Sequence, residues 1–212
     1  MGRRPDIDGR QLLLEAALRL FAVDGVEGVS IRAVNREAGL GPASVHYHFG
    51  TKDALVDALM QIHGESVTKR IKARAKEITT GNGSPSARDL VLMLAGPYVD
   101  VMADGGTLGH DWVRLANQLL QSEPARVLDR QLTRLTRGAA ARVFPDAASD
   151  DVARAMRMCF TLLLAQMARP IGRTRSATSP SDFDLLVDFL SAGLEATLAT
   201  APVDHRRRRR PA

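Results

Sequence analysis

The sequence predicts an all-α fold with about nine helices. Short apolar runs recur at spacings of three and four residues, the period of a helix with one buried face, whereas alternating strand-like segments are scarce. Only 4% of the 212 residues are aromatic, and alanine, leucine and arginine, which favour helices, are plentiful. Glycine and proline clusters divide the chain into segments of helical length, so helices joined by short turns are expected throughout.

The composition narrows the class of protein. Hydrophobic residues make up 45% and charged residues 25% of the chain, as in globular proteins that bury a core. The net charge of +5 equals the charge of the arginine run at 206–210, so nucleic-acid binding has to be argued from local motifs. The single cysteine, Cys159, excludes an intramolecular disulfide, and no apolar stretch has the length of a membrane span. We expect a cytoplasmic protein with no membrane partner, no metal and no cofactor.

The pattern divides the chain into three units. Residues 1–50 are expected to form a headpiece of three short helices, and residues 51–200 a larger helical body. Residues 201–212 form a basic tail without apolar periodicity, which is expected to be disordered. Within the body, Pro97 should kink or end a helix, and residues 104–106 predict a loop.

The first two helices of the headpiece have clear ends. The first covers about residues 9–24 and stops at Gly25, a residue that readily adopts a left-handed conformation. The second covers about residues 31–38, with Ser30 as its cap and Gly39 just after its end.

The third helix, about residues 43–49, presents two different faces. Val45 and Phe49 should point inward, whereas the outward residues are small or hydrogen-bonding and can approach base edges in the major groove; they are Pro42, Ala43, Ser44, His46 and Tyr47. Two short helices joined by a tight, glycine-containing turn are typical of a helix-turn-helix motif. Phosphate contacts are expected at the helix openings, from Ser30 and from Lys52 beside the cap Thr51.

The segment at residues 29–59, VSIRAVNREAGLGPASVHYHFGTKDALVDAL, resembles the headpiece of the tetracycline-repressor (TetR) family. The AGL turn, the VHYHF run and the GTKDAL continuation are all in register, and the match extends over roughly residues 9–60. The resemblance implies that Ser30 and Arg32 contact phosphate and base. It implies that residues 42–44 and His46 enter the groove. It also implies that the DNA backbone is held by Tyr47, His48 and Lys52.

Two residues depart from the family pattern. Asn35 stands where a small alanine is usual, and it either hydrogen-bonds the turn backbone or alters the angle between the helices. His46 stands where tyrosine is commoner. His46 and His48 lie two apart on a helix and point to different faces, which favours DNA contact or capping over a metal site.

The helical body contains soft, aromatic and polar residues that suit a ligand pocket. The expected wall is mostly apolar and fits a moderately hydrophobic small molecule; it consists of Met60, His63, Met102, Trp112, Asn117 and Met156. The alternative is that these residues are ordinary core. Helix four, which begins beside the third helix and continues into the body through Leu55, Leu59 and Ile62, is expected to couple the pocket to the headpiece.

The last two helices, at about residues 149–168 and 181–199, carry more apolar side chains than a single chain of this size can easily bury. Pairing with a two-fold mate in a four-helix interface would bury the excess. The expected contacts are Leu162, Leu163, Leu186, Leu190 and Leu194.

Together these features predict a homodimeric transcriptional regulator, a repressor that binds double-stranded operator DNA and is released by a small-molecule effector. One alternative is a DNA-binding dimer without ligand control. The other is a helical enzyme, for which the sequence offers no paired carboxylates, metal cluster or nucleophile–base arrangement. A non-enzymatic protein is therefore expected.

Overall fold

The computed structural model describes residues 6–128, 130–169 and 180–199. Within those ranges the chain forms eight α-helices and one short 3₁₀-helix, with no strand. The helices are α1 (Asp6–Gly28), α2 (Ile31–Glu37), α3 (Ser44–Phe49), α4 (Lys52–Thr80), α5 (Ala87–Ser122), α6 (Arg130–Val143), α7 (Ser149–Met167) and α8 (Pro180–Leu198), and the 3₁₀-helix is Pro124–Arg126. The all-α prediction is confirmed, and the expected count of about nine is close to the observed eight.

The headpiece helices are held together by a small apolar core. Phe21 of α1, Val34 of α2 and Val45 of α3 are all completely buried. Helices of seven and six residues, such as α2 and α3, are too short to be stable alone, so packing against α1 maintains them. Gly39 has a positive φ of 66° just after α2, as predicted for the end of the second helix. Gly25, with φ 75°, breaks the helical geometry where the first helix was expected to stop, although α1 itself continues to Gly28.

Helix α4 joins the headpiece to the body. Its 29 residues span about 43 Å, and it contacts α1 and α3 as well as α5 and α6. Leu55 and Leu59 are completely buried, as predicted, but Ile62 is exposed. The inward face continues instead through Val67 and Ile71, because the neighbouring helices lie on that side.

Helix α5 is the central helix of the body and contacts α1, α4, α6, α7 and α8. A reciprocal capping box between Ser86 and Asp89 starts it. The break predicted at residues 104–106 is found at Gly106, where φ is 53° and ψ −133°, and it divides α5 into two helical segments, the second of which continues to Ser122. Pro97 also lies inside the helix without ending it, because burial against several neighbours offsets the lost backbone hydrogen bond.

The glycine- and serine-containing segment at residues 172–181 reads as a linker in the sequence, and most of it, up to residue 179, lies outside the described residues, as does the basic tail at 201–212. Among the described helices, none is both long enough and apolar enough to cross a membrane.

Candidate functional site

The turn between α2 and α3 is held by the side chain of Asn35. This residue is 2% exposed, and its Nδ2 donates to the carbonyl oxygen of Pro42 at 2.7 Å. The backbone N–H of Val45 donates to Asn35 Oδ1 at 3.0 Å. Of the two roles expected for Asn35, the structure therefore shows the first. The nitrogen and the oxygen of its side-chain amide both form hydrogen bonds with the backbone around the turn, and these bonds fix α3 relative to α2.

The outward face of α3 has the character that the sequence predicted. Tyr47 is 73% exposed, and its ring lies edge-on to that of His48 at 4.9 Å between centroids. His46 Nδ1 lies 2.8 Å from the carbonyl oxygen of Gly50; an N–H at this nitrogen donates to the carbonyl and leaves Nε2 as an acceptor. The remaining predicted groove residues surround this face: Pro42 and Ala43 are exposed and Ser44 is half-buried.

The predicted caps are confirmed at both helix openings where phosphate contacts are expected. Ser30 Oγ accepts from the N–H of Ala33 at 3.2 Å, and Thr51 Oγ1 accepts from the N–H of Ala54 at 3.0 Å. Exposed Arg32 and half-buried Lys52 follow these caps directly. Both cations therefore lie at the N-terminal ends of helices, where the backbone favours anions.

Sequence reasoning missed one cation beside α3. The guanidinium carbon of Arg10 lies 5.0 Å from the centroid of the Phe49 ring, in the range of a cation–π contact. Arg10 belongs to α1, and only the packing of α1 against the end of α3 brings it there.

The six predicted pocket residues do not enclose one cavity. Met156 lines a cavity of about 190 Å³ among α4, α5, α6 and α7, which we name the α6–α7 cavity. Met60 and Trp112 line a separate groove of about 670 Å³ between α4, α5 and the connection from α5 to α6. Met102 is buried in the core, and Asn117 is half-buried with its Oδ1 unpartnered. The sequence could not separate these positions because they lie on helix faces that turn in different directions.

Trp112 and His63 connect α4 and α5 directly. Trp112 Nε1 donates to the carbonyl oxygen of Leu59 at 2.9 Å, and the His63 ring meets the indole edge-on at 5.6 Å. Burial lowers the pKa of His63 below its usual value. Tyr98 lies on the other side of Trp112, 6.0 Å between ring centroids, and burial raises the pKa of its phenol.

Most of the α6–α7 cavity is apolar. Its apolar lining comes from Ile71, Leu94, Leu120, Leu128, Leu132, Val152, Ala153, Met156 and Phe160. Its polar lining consists of Thr133, Thr136, Thr161, Arg137 and Arg157. Met156 is therefore the one member of the predicted pocket that lines it.

Neither thiolate nor metal chemistry is supported by the described residues. Cys159 is buried, and burial raises the pKa of its thiol to about 12, so the neutral thiol persists near neutral pH. Within residues 6–128, 130–169 and 180–199, no three His, Cys, Asp or Glu side chains gather as a metal site.

Three of the five leucines expected at a dimer contact are covered by the chain itself. Leu163, Leu190 and Leu194 are buried, because α5 packs against both α7 and α8. Leu186 is half-buried and Leu162 is exposed. The apolar residues that remain exposed lie one turn apart on each helix and form what we call the α7–α8 face: Met158, Leu162, Leu185 and Phe189.

A second feature missed by sequence reasoning is a clamp on the start of α4. Arg126, at the end of the 3₁₀-helix, pairs with Asp57 through Nη1 and with Asp53 Oδ1 through Nη2 at 3.5 Å. Its Nε also donates to Glu123 at 2.6 Å. The clamp ties the connection after α5 to the first turns of α4, next to α3.

The headpiece matches the family model described as bacterial regulatory proteins, tetR family, over residues 13–59. Among curated proteins, the HTH-type transcriptional regulator PksA of Bacillus subtilis is 38% identical over 63 residues, 30% of this chain and 31% of PksA. The nicotine-responsive transcriptional repressor HdnoR of Paenarthrobacter nicotinovorans is 44% identical over 52 residues, 24% of this chain and 27% of HdnoR. The matches thus span about a third or less of each curated relative.

The fold of the whole chain has counterparts among solved structures. A tetR-family regulatory protein from Rhodococcus RHA1 superposes with a TM-score of 0.60 at 18% identity, covering 89% of this chain and 96% of that one. The ketosteroid transcriptional regulator KstR2 of Mycobacterium tuberculosis gives 0.56 at 20% identity, covering 89% and 94%. At these identities the likeness concerns fold alone. The headpiece is thus similar in sequence to the tetR family of bacterial regulatory proteins, and the described part of the chain has the fold of solved tetR-family structures.

Proposed function

We propose that the protein is a sequence-specific DNA-binding transcriptional regulator that represses as a homodimer and is released by a small-molecule effector. The observation that carries the DNA-binding role is the outward face of α3, exposed at Tyr47 and held rigidly by the buried amide of Asn35. A rigid helix with small and hydrogen-bonding outward residues can enter the major groove and present them to base edges.

DNA binding through α3 predicts a specific response to substitution. The double variant Tyr47→Ala, Lys52→Ala should lose about 1–3 kcal/mol of DNA-binding free energy on all sequences. The dependence of its binding constant on salt concentration should become less steep, by the amount expected for the loss of about one phosphate contact. Ser44→Ala should instead change the preferred sequence. Fluorescence anisotropy on a duplex selected by the protein from random DNA, repeated at several salt concentrations, measures both effects.

The matched control is Arg134→Ala, which removes an exposed cation from α6 in the body. This variant should bind the selected duplex like the parent protein. Unchanged affinity in a correctly folded Tyr47, Lys52 double variant would remove α3 from the DNA-binding surface.

Dimerisation through the α7–α8 face is the second part of the proposal. Met158, Leu185 and Phe189 are each 65–69% exposed on two helices that contact each other, and large exposed apolar side chains gathered on one side of a protein are characteristic of an interface. The occupant we propose is the same face of a second copy, since a two-fold operator requires two headpieces at a fixed spacing.

Effector control is the third part. One curated relative is a nicotine-responsive repressor, and the α6–α7 cavity offers a mostly apolar volume in the body of this chain. Leu128 and Leu132, which line that cavity, follow Arg126 closely along the chain. Movement of this connection on ligand binding would be transmitted through the Arg126 clamp to the start of α4 and so to α3.

The clamp can be tested without an effector. Arg126→Gln should loosen the start of α4, which would appear as faster amide hydrogen exchange at Asp53 and Asp57 and a several-fold change in operator affinity. The effect should be modest, on the order of 1 kcal/mol, because both aspartates are largely exposed.

The control for this experiment is Arg70→Gln. Arg70 pairs α4 with Asp100 of α5 in a similar way, but farther along α4 from the headpiece. It should leave operator affinity unchanged. Equal operator affinities for the Arg126, Arg70 and parent proteins would show that the clamp does not influence the headpiece.

A further inference from the structure

The α6–α7 cavity combines an apolar interior with a cationic border. Arg137 of α6 and Arg157 of α7 both line it, and both are exposed at their positions. Within the described residues neither arginine forms an ion pair, although several other arginines of the body do. Among the described residues that line the cavity, none is an aspartate or a glutamate. Two cations from two helices therefore border one cavity, and the part of its lining that the structure describes holds no carboxylate to pair with them.

The interior limits the size of the ligand. A cavity of roughly 150 Å³ lined by apolar side chains is large enough to bind benzene, and the α6–α7 cavity measures about 190 Å³. It therefore suits one ring, or a short branched chain, with Phe160 and Met156 in the lining available for contact.

The two arginines at the border of the cavity determine which chemical group the polar end of the ligand should carry. Guanidinium groups bind carboxylates through charge-assisted hydrogen bonds, and Thr133, Thr136 and Thr161 supply further polar lining. A neutral ligand would leave both arginines without this interaction, and a cation would be repelled by them.

We infer that the α6–α7 cavity binds an amphipathic organic carboxylate, with a ring-sized apolar body inside and its carboxylate between Arg137 and Arg157. The inference rests on the proposed effector control and names the ligand class for it. The geometry also explains how such a ligand acts: Leu128 and Leu132 touch its apolar body, two and six residues after Arg126. A ligand that anchors on α6 and α7 while displacing these leucines would alter the clamp on α4.

The test compares two probes of nearly equal shape, 3-phenylpropanoate and the uncharged 3-phenylpropanamide. Isothermal titration calorimetry on the full-length protein should show that the carboxylate binds roughly tenfold more tightly, as expected for two partly solvated charge pairs. The preference should decrease as salt is added. Equal affinities, or no carboxylate binding at millimolar concentration, would overturn the inference.

Two variants locate the site. Arg137→Gln with Arg157→Gln should abolish the preference for the carboxylate, whereas Arg134→Gln with Arg154→Gln, on the same two helices but outside the lining, should retain it. Ala153→Leu should weaken both probes by filling the cavity. A preference that survives the Arg137, Arg157 substitutions, or affinities unchanged by Ala153→Leu, would place the ligand elsewhere and refute the assignment.

Operator binding is measured separately, by anisotropy with and without 3-phenylpropanoate. Arginine-dependent binding of the carboxylate together with weaker operator binding supports both the ligand class and effector control. Arginine-dependent binding with unchanged operator affinity supports the ligand class and refutes effector control. If the parent protein shows no preference for 3-phenylpropanoate over the amide, the ligand class is refuted. The proposed DNA-binding function is not affected by that result, because operator binding is also measured without any ligand.

Discussion

Replacing Leu185 and Phe189 together with aspartate should convert the proposed dimer into a folded monomer. These side chains are exposed in the single chain, so the substitutions leave its core intact. In a two-fold interface each aspartate would be buried without a partner, at a cost of several kcal/mol per site. Because the face is used twice in a dimer, the dissociation constant should rise by about a thousandfold or more.

Light scattering and sedimentation at micromolar concentration measure the assembly directly. Operator affinity should fall with it, because a monomer reaches only one half-site. Val23→Asp provides the matched control, since Val23 is also largely exposed but belongs to α1 in the headpiece; it should remain dimeric. A folded Leu185, Phe189 double variant that stays dimeric, or a parent protein that is monomeric, would contradict the α7–α8 interface.

Leu190→Asp should behave differently from its neighbour Phe189→Asp. Leu190 is buried within the chain, so a charge there would destabilise the monomer itself. Thermal unfolding followed by circular dichroism distinguishes the two effects: a lowered midpoint for the Leu190 variant, and a nearly unchanged monomer fold for the Phe189 variant.

Replacing Asn35 with leucine should destabilise the headpiece. The substitution preserves approximate volume but leaves the Pro42 carbonyl and the Val45 N–H without their partners. Each orphaned buried group costs about 1–3 kcal/mol, so we expect a loss of about 2–4 kcal/mol in the free energy of unfolding. Hydrogen exchange of α2 and α3 amides should accelerate, and operator affinity should fall by more than tenfold.

Asn117→Leu is the corresponding control in the body. Asn117 Oδ1 already lacks a partner, so its replacement by an apolar residue should be close to neutral. If Asn35→Leu proved as stable as Asn117→Leu and bound the operator normally, the amide bridge would not be what holds α3 in position.

Local features of the headpiece could be predicted from sequence because they depend on neighbours along the chain. Ser30 and Thr51 are followed three residues later by the amides that they cap. Glycine at 25 and 39 permits the positive φ that kinks α1 near its end and follows the end of α2. The sequence leaves two possible roles for Asn35, because its partners Pro42 and Val45 are reached only after the chain has turned.

The body was less predictable because adjacent residues on a helix point about 100° apart. Leu162 and Leu163 are both apolar and equally suited to an interface, yet one is exposed and the other completely buried. Only the packing of α5 against α7 decides between them. The Arg126 clamp could not be predicted for the same reason: Asp57 lies 69 residues away in the sequence, and only the tertiary packing brings it to Arg126.

By itself the sequence determined the helical class, the headpiece with its caps and turns, and the exposed face of α3. These follow from period, capping chemistry and glycine conformation, all of which act over a few residues. The tertiary structure alone decided which apolar residues form the core and which remain exposed on α7 and α8. It also brought Arg137 and Arg157 to one cavity, because the relative rotation of long helices is set by packing across the whole body.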